Sequence, residues 1–136
     1  MILFRPVGFQ ELQLIAATDY RKFPPRLSDQ PIFYPVLNFE YAREIAEGWN
    51  TRHNDPPCGF VTRFEIDDEC ASCFEVQTVG ARVNQELWVP AEELEEFNSR
   101  ILGKITIEAA YYGPNFSGAI NPETNLPTSL NLKGNQ

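Results

Sequence analysis

Gln85-Glu86-Leu87-Trp88-Val89-Pro90 places a carboxylate at the head of a short apolar strand that stops at a proline and leads into an acidic helical pattern. A charged group among apolar neighbours is expensive to keep there, so such a Glu points to a specific task. Two other segments belong with it. Leu3-Phe4-Arg5-Pro6-Val7 reads as a first strand, and Ile32-Phe33-Tyr34-Pro35-Val36 as another that runs into a helical pattern over 39–49. Arg5, Tyr34 and Glu86 are then each borne on a strand.

Outward from these strands the chain alternates β and α. Gly8 breaks the first strand before the helical spacing of 10–17, and 20–31 carries three prolines with Ser28 and Asp29, a loop long enough to cover a ligand. Asn38 is a good N-cap for a helix whose apolar positions are Phe39, Ala42, Ile45, Ala46 and Trp49. Residues 59–66 alternate as a strand, with Phe60, Thr62, Phe64 and Ile66 on one face and Val61, Arg63 and Glu65 on the other. Further strands are expected at 74–79 and 86–89. A helix at 90–98 opens with Pro and acidic residues, which suit the positive end of its dipole. The last strand pattern, 101–112, contains Gly103 as a turn. The expected class is α+β, with one domain over 1–112 and an extended or disordered tail over 113–136, where Pro, Asn and Gly replace large apolar residues.

The 136 residues match one hydrophobic core, and the composition is that of an ordered globular chain. A net charge of -8 repels polyanions on average, so nucleic acid would need a local basic cluster. The one candidate, Arg21, Lys22 and Arg26 around Phe23-Pro24-Pro25, suits an anionic small molecule as well as a phosphate backbone, and small-molecule binding ranks above nucleic acid. The N-terminus has no cleavable apolar leader and no stretch reaches the roughly 18 apolar residues of a membrane span. A cytoplasmic protein without a membrane partner is expected.

Together the three strand segments resemble the ADP-ribosyltransferase superfamily, over roughly 2–112 of this chain. The stretch from Ile32 to Ala42, an aromatic strand running into a helix with a small polar cap, looks like that superfamily's second block, and Gln85-Glu86 looks like the catalytic pair of its third. The chain is also similar to small bacterial proteins labelled ADP-ribosylation/crystallin J1. The resemblance implies a split β-sheet with flanking helices that holds NAD in a cleft, and transfer of ADP-ribose from NAD, or its hydrolysis. It implies Glu86, Arg5 and Tyr34 as catalytic residues and Arg5, Tyr34, Asn38 and Gln85 as NAD-binding ones, with a protein acceptor as a further partner. Glu86 would stabilise the oxocarbenium-like state at the nicotinamide ribose, Arg5 would hold the pyrophosphate or a ribose oxygen, and Tyr34 would stack on nicotinamide. Gln85 points to the opposite face from Glu86 and would orient a loop or the acceptor. Asn at position 84 leaves no Glu-x-Glu pair, and the second strand has no Ser-Thr-Ser block, which speaks against arginine as acceptor.

Against this stands a structural alternative, with Arg5 and Glu86 as an ion pair at a sheet end and Tyr34 as a core residue. His53, Cys58, Cys70 and Cys73 have the ligand types of a zinc site, yet only Cys70-Ala71-Ser72-Cys73 has metal-ligand spacing, so no metal site is assigned. Asp67-Asp68-Glu69 beside Cys70 argues against a reactive thiol. Glu92, Glu93, Glu95 and Glu96 read as a solvated face, or, if the chain is a non-catalytic interaction or immunity-type protein, as a surface for a basic partner. Trp49 and Trp88 fit a core better than a ligand cleft.

Overall fold

The computed structural model describes residues 1–80 and 84–130. At its centre lies a three-stranded antiparallel sheet in the order β1 (Ile2–Val7), β3 (Cys58–Ile66), β7 (Ile101–Tyr112). Val36 alone bridges Phe4 on one side and Glu86 on the other, so that the antiparallel pair β5 (Gln85–Leu87) and β4 (Val76–Thr78) continues the sheet beyond β1. The α+β class expected from the sequence holds.

Proline chemistry explains why Val36 bridges alone. Phe4 and Val36 exchange both backbone hydrogen bonds, at 2.9 and 2.7 Å. In an antiparallel pair the next exchange falls two residues on, and there Pro6 has no N–H to give. The ladder stops, and β2 (Ile32–Phe33) leaves β1 to pair with β6 (Val89–Pro90). On its other edge β1 remains in register with β3 from Ile2↔Glu65 to Val7↔Phe60. The sheet is therefore parted next to Arg5, Pro6 and Val7.

Each face of the sheet carries its own apolar layer. Leu3 and Val7 join Phe60, Phe64 and Ile66 under α1 (Phe9–Ala17) and α5 (Leu94–Ser99), around a cluster of Phe23, Phe33, Phe64 and Phe97 with ring centroids 4.9–6.1 Å apart. The opposite layer is smaller: Val36, Val61, Tyr41, Ala42 and Ala46, with Phe4 and Phe39 packed against them.

The helix expected at 39–49 is built differently. It begins as α2 (Phe39–Arg43), capped as expected by Asn38, whose Oδ1 accepts from the Tyr41 N–H at 2.8 Å. From Glu44 to Asn50 it widens into a π-helix before closing as α3 (Thr51–His53). An α-helical period would turn Trp49 inward after Ala42 and Ala46. The π-turn takes in an extra residue. The inward position passes to Asn50, which is buried, and Trp49 faces outward at 58% exposure.

Other boundaries also moved. Gly103 is not a turn: β7 runs through it with φ +77 at a register shift opposite Arg63 to Glu65, a bulge that needs a left-handed residue. The 90–98 helix opens as a 3-10 turn, Ala91–Glu93, before α5. In place of an extended or disordered tail, 113–130 folds back as the hairpin β8 (Ile120–Asn121) and β9 (Leu126–Pro127), and Leu130 is buried in the larger core. Residues 131–136 lie outside the described residues. Among the described residues no helix is long and apolar enough to cross a membrane.

Gly59 fixes how closely the π-helix approaches the sheet. A Cβ there would lie 2.5 Å from the Ala46 carbonyl oxygen and 2.6 Å from the Asn50 Cβ. Gly59→Ala is expected to destabilise by about 1–3 kcal/mol in urea unfolding, the usual range for overpacking. Gly48→Ala, where a Cβ meets nothing within 4 Å, should leave stability unchanged or raise it. Equal effects of the two substitutions would refute this packing.

Candidate functional site

The parted sheet opens into a groove of about 710 Å³, within the range of small-molecule sites. One wall is α1 with the 24–30 part of the proline-rich loop, the other is the π-helix with Asn54, and Arg5, Pro6, Val7, Tyr34 and Val36 lie along the gap between them. The lining therefore draws on both layers of the fold.

Arg5 lies here, but as half of a pair. Its guanidinium donates to Glu11 through Nε (2.7 Å) and Nη2 (3.0 Å), a forked contact in which both side chains are mostly buried. Gly8 separates β1 from α1, and Glu11, in the first turn of α1, meets Arg5. The Arg5 guanidinium carbon also sits 4.8 Å from the Phe33 ring centre. Tyr34 is exposed, and the guanidinium carbons of Arg5 and Arg26 both lie 6.0 Å from its ring centre. Arg26 donates Nε to the Ile32 carbonyl at 3.1 Å and has no carboxylate partner among the described residues. Partial burial, and secondly the charge of Arg5, hold the Arg26 guanidinium below its ordinary pKa. Positive charge in the groove is thus paired at Arg5 and unpaired at Arg26.

Glu86 is elsewhere. Directly opposed residues of neighbouring strands share a face, so the register Phe4↔Val36↔Glu86 sets Glu86 on the side of the smaller layer. Arg5, next to Phe4, points to the other side with Leu3 and Val7. At 7% exposure, the Glu86 carboxylate accepts from the Tyr41 hydroxyl at 2.5 Å through Oε2 and from the Trp88 indole N–H at 2.9 Å through Oε1. It does not line the groove, nor does it pair with Arg5. Asn38 is the cap of α2, and Gln85 pairs with Thr78 in the β4–β5 ladder while its carbonyl accepts from Leu37. Of the five residues the resemblance singles out, Arg5 and Tyr34 come together at the groove; Glu86, Asn38 and Gln85 do not.

Two aromatic residues assigned to a core are surface groups. Trp49 lines the groove with His53 against it, ring centres 3.9 Å apart, and Trp88 borders a smaller hollow of about 280 Å³ with Phe74 and Ile32. His53, Cys58, Cys70 and Cys73 do not converge. Cys58 starts β3, while Cys70 follows the far end of that strand, roughly 25 Å away at the usual rise per residue. Among the described residues no group of three or more His, Cys, Asp or Glu could hold a metal ion. Glu92, Glu93, Glu95 and Glu96 all face solvent.

Comparison with protein-family models, with curated proteins and with solved structures gave no match to this chain.

Burial, and secondly the Glu86 carboxylate, raise the Tyr41 phenol well above its ordinary 10.0. A group with a raised folded-state pKa stabilises fully below the unfolded value and less as pH rises past it. The difference in unfolding free energy between wild type and Tyr41→Phe should therefore narrow between about pH 9 and about pH 11. A constant difference would refute the carboxylate contact. Burial also pushes the Cys58 thiol up to about 11, whereas Cys73 is exposed. Alkylation near neutral pH, followed by mass spectrometry, should label Cys73 in the folded protein and Cys58 only in denaturant. Fast labelling of Cys58 would contradict its place in the core.

Proposed function

We propose that this protein binds NAD, or a dinucleotide of the same build, in the groove beside β1. What carries the reading is Arg26, a partly buried guanidinium without a carboxylate partner among the described residues, standing 6.0 Å from the exposed ring of Tyr34. An unpaired guanidinium favours an anion with forked oxygens, and a pyrophosphate offers them. An exposed tyrosine beside it offers a planar ring a stacking surface. The parted sheet and the position of Arg5 and Tyr34 at the parting agree with an ADP-ribosyltransferase-like frame.

Binding is better supported than turnover. Cleavage of the nicotinamide–ribose bond needs a carboxylate near the ribose as positive charge develops. Glu86, with both oxygens already accepting hydrogen bonds on the other side of the sheet, is not placed for that role. Isothermal calorimetry with NAD is expected to show binding by the wild type, weakened at least about tenfold in Arg26→Ala. Nicotinamide release should be no faster in wild type than in Glu86→Gln. Absence of NAD binding by the wild type would sink the proposal, and release that disappears in Glu86→Gln would return the carboxylate to the reaction.

A further inference from the structure

Asn50 is unlike any other groove residue. It is 6% exposed, its Cβ is set against Gly59, and its amide has no hydrogen bond with any described residue. No fully enclosed polar side-chain atom of the described residues lacks a partner, so the Asn50 amide keeps its remaining exposure where the residue lines the groove. A carboxamide held this deeply, with a donor and an acceptor side by side and neither engaged, is matched to a ligand edge with the complementary pair. Trp49 next to it is a large exposed ring on the same wall, and Leu14 faces the groove from α1. Stacking surface and hydrogen-bonding edge thus occur together, and the π-turn produces both by turning Asn50 in and Trp49 out.

We infer that Trp49 and Asn50 form a subsite for the adenine base of the ligand, a deepening that rests on the dinucleotide reading above. The Asn50 carbonyl accepts from the adenine 6-amino group while its amide N–H donates to the adjacent ring nitrogen, the usual pairing of Asn with this base. The base stacks on the Trp49 indole, and any base would gain from that contact, so the choice of adenine lies with Asn50. Nicotinamide, the other ring of NAD, is left to the Tyr34 end beside Arg5 and Arg26.

Calorimetry with four probes tests this: NAD, AMP, purine riboside 5′-monophosphate, which lacks only the 6-amino group, and nicotinamide mononucleotide. Wild type should bind AMP about tenfold tighter than the purine analogue, the worth of one hydrogen bond to a buried acceptor. Asn50→Ala should bring that ratio close to one and leave nicotinamide mononucleotide affinity unchanged, and Asn50→Asp, which has no N–H to donate, should bind AMP more weakly still. A melting temperature close to wild type shows that each variant is folded; if Asn50→Ala fails this, the wild-type AMP-to-purine ratio and Trp49→Ala, which should weaken every base, decide alone. Equal affinity for AMP and the purine analogue in wild type overturns the adenine subsite, as does an Asn50→Ala effect confined to nicotinamide mononucleotide. NAD bound without preference for the 6-amino group leaves the dinucleotide reading standing without the subsite. The preference seen with AMP, but with NAD not bound, leaves the subsite standing without the dinucleotide, and no binding of any probe overturns both.

Discussion

Pro6 offers no N–H to the edge of β1 that faces Val36, so the two segments join at one residue and then separate. Everything that could recognise a ligand follows from that interruption. β2 is freed to pair with β6, which carries Phe33 into the aromatic cluster and leaves Tyr34 outside it. The loop after α1 then closes one side of the gap and the π-helix the other. Proline at a paired central strand would remove a ladder bond; here the missing donor faces the gap, where no ladder exists.

Charge in the groove is arranged by the same local geometry. Arg5 is drawn into the larger layer between Glu11 and Phe33, and such a buried pair is better understood as holding α1 against β1 than as a free anion site. Removal of either partner would leave an uncompensated charge in a mostly buried place. Arg26, arriving from the loop, meets the Ile32 carbonyl but, among the described residues, no acid. Two arginines of similar position thus differ in role because one has a helix carrying glutamate folded over it. On the far face, Glu86 links the β5 strand to α2 through Tyr41, so its carboxylate joins two elements of the smaller layer.

The strands were legible because β3 and β7 carry period-two patterns and β1 is β-rich up to the break at Gly8, and the cap at Asn38 was legible because Asn before a periodic run has one common use. The two-layer arrangement was not. It depends on register, and an Arg and a Glu on different strands of one sheet share a face only if pairing places them at matching parity. That Arg5 and Tyr34 lie at one place followed from the family resemblance, and residue types marked only the basic side chains around Arg26. Glu11 was overlooked although it lies in the first turn of the helix that follows Arg5. Asn50 gave no signal at all, because α-helical spacing assigns the inward position to Trp49. The hairpin of 113–130 escaped notice since few large apolar residues mark it, yet Leu130 closes the core.

The π-helix from Glu44 to Asn50 can also be seen as a matter of reading frame. A π-turn has the form of an α-helix that has accepted one additional residue without disturbing what lies before or after it. Loss of a single residue between Glu44 and Gly48 would let the segment relax to an α-helix, with Thr51 and the rest of the chain kept in place. Trp49 and Asn50 follow the deleted position and stand directly before Thr51, so they would keep their surroundings, and only the path of the chain between Arg43 and Gly48 would shorten. A chain of this build could therefore take up or shed one codon in this segment while the sheet beneath it and the residues that flank it stay where they are.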